Sequence, residues 1–208
     1  MKGLNKLFRF IIDLLYPKVI CPVCRNIEPG LCIPCRDSFE IYGDGGLGEG
    51  VGVSLYRHKE EVNLLISNFK KKMMFSAGDT MADLIYEKYK DELKDFDMIV
   101  FAPSSKESRK KLGFDHGKYL ASVLSRKIGI PAVSLFEPAD KEQKVLDREE
   151  RKTNAKKIRL KKAALGELKG RRAVILDDVY TTGSTVNQCI KLLKELNMEC
   201  RYLTFSRV

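Results

Sequence analysis

The stretch "AVILDDVYTTGST", residues 173–185, runs four apolar residues into two adjacent aspartates and then into threonines, a glycine and a serine. Such a run reads as a buried strand, a tight turn and the start of a helix. At a helix N-terminus the first backbone N–H groups lack partners and the dipole favours negative charge. Thr181, Thr182, Ser184 and Thr185 add hydroxyl donors, and Gly183 lets the backbone close around an anion. Asp177 and Asp178 would repel that same anion. A ligand with a phosphate at one end and neutral ring hydroxyls at the other resolves the conflict, because carboxylates accept hydrogen bonds from hydroxyls. A 5-phosphorylated ribose has this shape, and an oxygen-seeking Mg²⁺ could bridge its hydroxyls to a diphosphate on C1. The loop lacks the lysine of a Walker motif, which disfavours nucleoside triphosphate hydrolysis.

A second constellation precedes it. Cys21, Cys24, Cys32 and Cys35 lie in "CPVCRNIEPGLCIPC", two Cys-x-x-Cys pairs in one short segment. Each pair can turn both thiolates to one point, and two pairs complete a closed tetrahedral zinc site with no open position. The metal is therefore read as structural, against the alternative of redox-active thiols. Cys189 and Cys200 fall in apolar surroundings and read as small core residues.

The glycine cluster "GDGGLGEG", residues 43–50, matches the spacing of a dinucleotide loop through Gly43, Gly45 and Gly48. The strand-like "VGVSLY" follows where that mechanism needs a helix, so the cluster reads as a flexible linker. The expected organisation is an N-terminal amphipathic helix and zinc module over residues 1–42, the linker over 43–50, and a main domain over 51–208. Chelating the zinc should then unfold the module and largely spare the main domain.

From residue 51 onward, apolar strand-like runs alternate with helical periodicity. The strands are "VGVSLYR", "DMIVFAP", "PAVSLF", "RRAVILDD" and "ECRYLTFSR". The fold class is α/β, a parallel sheet flanked by helices and preceded by the zinc module. In such sheets ligands bind beyond the carboxyl ends of the strands, here at "APSSK" and "DDVYTTGST". The net charge of +10, from 38 Lys and Arg against 28 Asp and Glu, suggests an anionic partner. Basic runs lie at "KKKMM", "KESRKK" and "KKIRLKK", which suits a phosphate backbone. The absence of tryptophan argues against a dense stacking platform for single-stranded DNA. With no spanning run and no cleavable leader pattern, the expected location is cytoplasmic.

The 173–185 stretch closely resembles the phosphoribosyl-diphosphate (PRPP) motif of type I phosphoribosyltransferases, and with the zinc module the chain resembles the ComF family, which includes competence proteins of the ComFC type. The resemblance implies a type I phosphoribosyltransferase-like domain that binds PRPP with Mg²⁺. It assigns Asp177 and Asp178 to the ribose hydroxyls and Thr181, Thr182, Gly183, Ser184 and Thr185 to the 5′-phosphate. Ser104, Ser105 and Lys106 correspond to the diphosphate loop, and Arg151 to a basic flap at about residues 137–160. "QKVLDREERKTN" carries the family's spaced Gln143, Leu146, Arg151 and Asn154. Leu112, Asp115 and His116 depart from the family's pattern and bear on the acceptor side. His116 is read either as lining the site or as capping the helix beginning near Gly113; His58 is read as surface. Two functions stand side by side: a phosphoribosyltransferase connected with DNA uptake in natural transformation, and a non-catalytic accessory that binds single-stranded DNA and a ComFA-like helicase.

Overall fold

The computed structural model describes residues 19–43, 45–48, 50–104, 109–110, 112–137, 157–161 and 168–208. The N-terminal amphipathic helix, Ser105, Lys106, Gln143, Leu146, Arg151 and Asn154 lie outside the described residues. Five strands form one sheet: β1 (Gly52–Arg57), β2 (Met98–Phe101), β3 (Ala132–Val133), β4 (Arg172–Tyr180) and β5 (Glu199–Arg207). Their spatial order is β1-β5-β4-β2-β3, and every pairing is parallel. Helices α1 (Ile33–Asp37), α2 (Glu60–Lys72), α3 (Phe75–Leu93), α4 (His116–Ile128) and α5 (Ser184–Glu195) complete the described elements.

The inner strands are buried on both sides, as a parallel sheet covered on two faces requires. One face carries a core built from Leu65, Phe69, Ile85, Leu120 and Leu124 of α2, α3 and α4 against Leu176 and Leu203. The opposite face carries Val186, Cys189, Ile190 and Leu193 of α5 against Ala173, Ile175 and Tyr202. Both unassigned cysteines, 189 and 200, are thus core residues.

Local signals explain where the helices begin and end. Glu60 and Glu61 open α2 and Lys70, Lys71 and Lys72 close it, the charge order its dipole favours. Asp115 caps α4 by accepting the Lys118 backbone N–H at 3.1 Å, and Gly129 ends it in the left-handed conformation.

Two features differ from the sequence reading. Strand β4 continues past Asp178, because Val179 and Tyr180 pair with Ser206 and Arg207 of β5. The aspartates therefore sit inside the ladder and not at its lip. The glycine-rich stretch is also anchored: Leu47 is fully buried in the common core, and its backbone N–H donates to Glu92 on α3.

The cysteine module shares that core. Cys21, Val23, Cys32 and Phe39 belong to the same buried cluster as Leu65 and Phe69. Asn68 on α2, fully buried, donates its side-chain amide to the Pro22 carbonyl at 2.8 Å. No helix among the described residues is long and apolar enough to cross a membrane.

Candidate phosphoribosyl site and metal centre

Strands β2 and β4 are neighbours, yet their following helices cover opposite faces: α4 packs with the α2–α3 core and α5 on the other side. Such a divergence opens a crevice at the carboxyl ends of the two strands. The loops after β2 and β4 flank it.

After β4 the chain turns at Gly183, whose φ of +70° lies in the left-handed region. A Cβ at that position would fall 2.1 Å from the Tyr180 hydroxyl, so glycine is required twice over. Tyr180 cannot easily withdraw. Its ring stacks on Tyr202 at 5.1 Å, and the Arg207 guanidinium covers it at 4.5 Å. The residues Val179 to Val186 line a shallow, open depression around the N-terminus of α5. Within it the Thr182 and Ser184 hydroxyls are 2.7 Å apart, and Thr181 is exposed. Thr181, Thr182, Gly183, Ser184 and Thr185 are thus brought together around the helix N-terminus, where the Ser184 backbone N–H reaches the Thr182 hydroxyl oxygen at 3.4 Å.

The two acids leave adjacent positions of β4 toward different faces, yet their carboxyl groups stay close enough to act directly on one another. Asp178 is buried on the α2–α4 side, where it forms an ion pair with Lys70 of α2. Burial alone would raise its pKa; the Lys70 ammonium, the nearby His116 and hydrogen bonds from its neighbours hold it well below the ordinary carboxylate range. Asp177 lies on the α5 side, where its charge acts on the Cys189 thiol, and it accepts the Asp178 backbone N–H at 2.9 Å. Burial, and then the Asp178 charge, push Asp177 from its ordinary value of 3.8 up to about 8.

A raised carboxyl favours folding only while it can keep its proton. Its contribution is present below the unfolded pKa and is lost as pH rises toward the folded value. Asp177→Asn is therefore expected to flatten the stability profile between about pH 4 and about pH 8, changing the slope by at most ~1.4 kcal/mol per pH unit. Urea melts of both proteins across that range check this; parallel profiles would contradict it.

On the β2 side, Ser104 is buried and donates its hydroxyl to Asp115 at 3.1 Å. Arg109 pairs with the other Asp115 oxygen at 2.5 Å. Asp115 thus ties the loop to the start of α4 and takes the capping role. His116 follows it as the first residue of α4 and is half-buried, near enough to Asp178 to act on its charge. His58 is also more than surface: half-buried, its Nδ1 meets the Ser206 hydroxyl at 2.9 Å.

Lys70 is the site residue that sequence reasoning missed, since "KKKMM" read as one basic run. The signal was present in the helical spacing: Val62, Ile66 and Lys70 recur every four residues, and the first two are buried.

The carboxylates as they stand do not fit Mg²⁺. One is engaged by an ammonium and the other is raised toward its neutral form, whereas a carboxylate anchors Mg²⁺ through an ionised oxygen not already paired. The cysteines do fit zinc. The four Sγ atoms of Cys21, Cys24, Cys32 and Cys35 lie within 4.8 Å of one another, as a tetrahedral thiolate site needs. Burial works against the Cys21 thiolate, but backbone hydrogen bonds from Cys32, Val23 and Cys24 lower its pKa to about 7.

Residues 114–203 match the family model of the phosphoribosyl transferase domain. The chain is 30% identical over 148 residues to competence protein F of Haemophilus influenzae, covering 67% of this chain and 65% of that protein's length. It is 23% identical over 201 residues to competence protein ComFC of Streptococcus pneumoniae, covering 82% and 84% of the two chains. Among solved structures, orotate phosphoribosyltransferase from Aeropyrum pernix is similar at TM-score 0.41 and 16% identity, over 84% of this chain and 78% of that one. Adenine phosphoribosyltransferase from Leishmania tarentolae is similar at TM-score 0.41 and 16% identity, over 63% and 70%. The parallel sheet, the four gathered cysteines and the two competence-protein relatives converge: the chain is a member of the ComF family carrying a phosphoribosyltransferase domain with the type I fold.

Proposed function

We propose that this chain binds PRPP or a related 5-phosphoribosyl ligand and serves DNA uptake in natural transformation, as the names of its relatives suggest. The 5-phosphate sits on the N-terminus of α5, held by the hydroxyls and N–H groups of residues 181–185. The ribose hydroxyls face Asp177 and Asp178. The diphosphate falls to Ser104, Ser105 and Lys106, with Arg151 as a further cation for it. Ser104 already spends its hydroxyl on Asp115, so its part there is to fix the loop. When bound with the ligand, Mg²⁺ would supply charge neutralisation to the diphosphate leaving group. Zinc in the four-cysteine site holds the N-terminal module together.

One observation supports the reading: a glycine-turned helix N-terminus stands at the sheet's switch point, a few residues after the two acids of β4. Calorimetric titration with PRPP and Mg²⁺ tests it, with saturable binding as the expected result and none as the contrary one. A following screen for base-dependent diphosphate release separates a working transferase from a chain that only binds.

The accessory reading, with single-stranded DNA and a helicase partner, draws on the exposed lysines such as Lys71 and Lys72. Each basic run nonetheless lends a member inward: Lys70 to Asp178, Arg109 to Asp115 and Lys161 to the Ser134 hydroxyl. What remains outside favours weak, sequence-tolerant contact. Binding to oligonucleotides is therefore expected to fall steeply with added salt, and salt-insensitive affinity would contradict this electrostatic account.

A further inference from the structure

Lys70 stands in the last turn of α2, four residues after the buried Ile66 and beside the buried Phe69. Its side chain is 12% exposed and that of its partner Asp178 is 7% exposed. Its neighbours Lys71 and Lys72 are exposed, so the inward turn of this one lysine is specific to its position. Buried charges persist only when paired. The ammonium is the counterion of Asp178 and its charge also reaches Asp177, while His116 acts on Asp178 from nearby. Asp177, on the other side, spends one oxygen on a backbone N–H. A hard dication arriving here would have to expel a buried cation and then remain in contact distance of it.

We propose that Lys70 is a built-in cation that occupies the place of a divalent metal at the Asp177–Asp178 pair, so that the acids receive ligand hydroxyls with no metal ion between them. This deepens the phosphoribosyl reading and, for its sugar half, rests on it. Ligands without a diphosphate, of the ribose 5-phosphate class, then bind independently of Mg²⁺. Metal dependence is confined to ligands that bring their own diphosphate.

The test uses the zinc-loaded chain and Mn²⁺ as a paramagnetic probe, with no sugar phosphate present. The unaltered chain is expected to show no Mn²⁺ site that depends on the acids. Lys70→Gln is expected to gain one, at least roughly tenfold tighter, because the Asp178 carboxylate then lacks its counterion. That site is lost again when Asp177→Asn and Asp178→Asn are added. An acid-dependent Mn²⁺ site in the unaltered chain, or no gain in a folded Lys70→Gln chain, overturns the proposal. If Lys70→Gln does not fold, acetylation of the unaltered chain decides. Lys70 should react at least roughly tenfold more slowly than Lys71 and Lys72, since its nitrogen must first leave a buried pair. Excess Mg²⁺ should leave that ratio unchanged; a rise in Lys70 reactivity with Mg²⁺ shows displacement and overturns the proposal. Ribose 5-phosphate titrations with and without Mg²⁺ separate the two claims. Equal affinities support the built-in cation, and Mg²⁺-dependent affinity contradicts it. No binding in either buffer removes the phosphoribosyl reading and the sugar half with it, while the Mn²⁺ result still stands for the metal half.

Discussion

Stripping the metal from Cys21, Cys24, Cys32 and Cys35 is expected to destabilise the whole chain, and not the N-terminal module alone. Structural zinc held by thiolates contributes apparent binding energies of roughly 10–16 kcal/mol, as large as the whole stability of a typical domain, about 5–15 kcal/mol. The consequence spreads because the module's described residues pack into the main core. Val23 and Phe39 are buried in the cluster that holds Leu65 and Phe69, and each such side chain is worth about 1.5–3 kcal/mol when buried. Asn68 would lose its Pro22 partner and be left as a buried amide. Chelator treatment should therefore lower the main domain's melting free energy by ~3 kcal/mol or more, followed by near-ultraviolet circular dichroism of its tyrosines. Metal analysis should find one zinc per chain, on the four-ligand count. An unchanged main-domain transition after complete metal loss would show that the module stands apart, as the glycine-rich boundary by itself suggests.

The second large effect lies at Asp178. Replacing it with Asn is expected to cost about 3–5 kcal/mol, because Lys70 is left as a buried charge without a partner. The paired-acid motif alone suggests that Asn, having the same shape, would spare the fold; the lysine behind it changes that expectation. Removing both charges in Lys70→Met with Asp178→Asn should restore most of the loss, since a buried pair replaced by apolar or neutral groups is often neutral overall. The pair's contribution also has a pH signature. A carboxyl held below its ordinary range stabilises fully above the unfolded pKa, and that stability is lost as pH falls toward the folded value. A double-mutant cycle by urea denaturation at neutral pH gives the coupling directly. Additive single mutants would contradict a buried, mutually dependent pair.

Most of the site's backbone was legible because its signals are local. A hydrophobic run, a pair of acids and a glycine before hydroxyl residues mark β4, its turn and α5 within thirteen residues, and the pattern needs no distant contact to be read. The cysteine spacing is equally local. What escaped depends on residues far apart in the chain. The extension of β4 through Tyr180 follows from pairing with Ser206 and Arg207 of β5. The burial of Leu47 follows from its contact with α3. Lys70 becomes part of the site only because α2 packs beside the carboxyl end of β4, over 100 residues later in the chain. Asp115 holds the helix cap, the Ser104 loop and Arg109 together through contacts up to eleven residues apart.

The most direct measurement compares PRPP affinity in the unaltered chain and in Gly183→Val, by calorimetry with Mg²⁺ present. Valine at φ +70° is strained, and its Cβ would collide with a Tyr180 ring that Tyr202 and Arg207 hold in place. Because the turn closes the phosphate cradle, binding should be lost or weakened by at least roughly a hundredfold, the loss expected when several donors to a phosphate are displaced together. The zinc content and the far-ultraviolet spectrum should stay the same. Saturable PRPP binding that is unchanged in a folded Gly183→Val chain would place the ligand elsewhere and contradict the account.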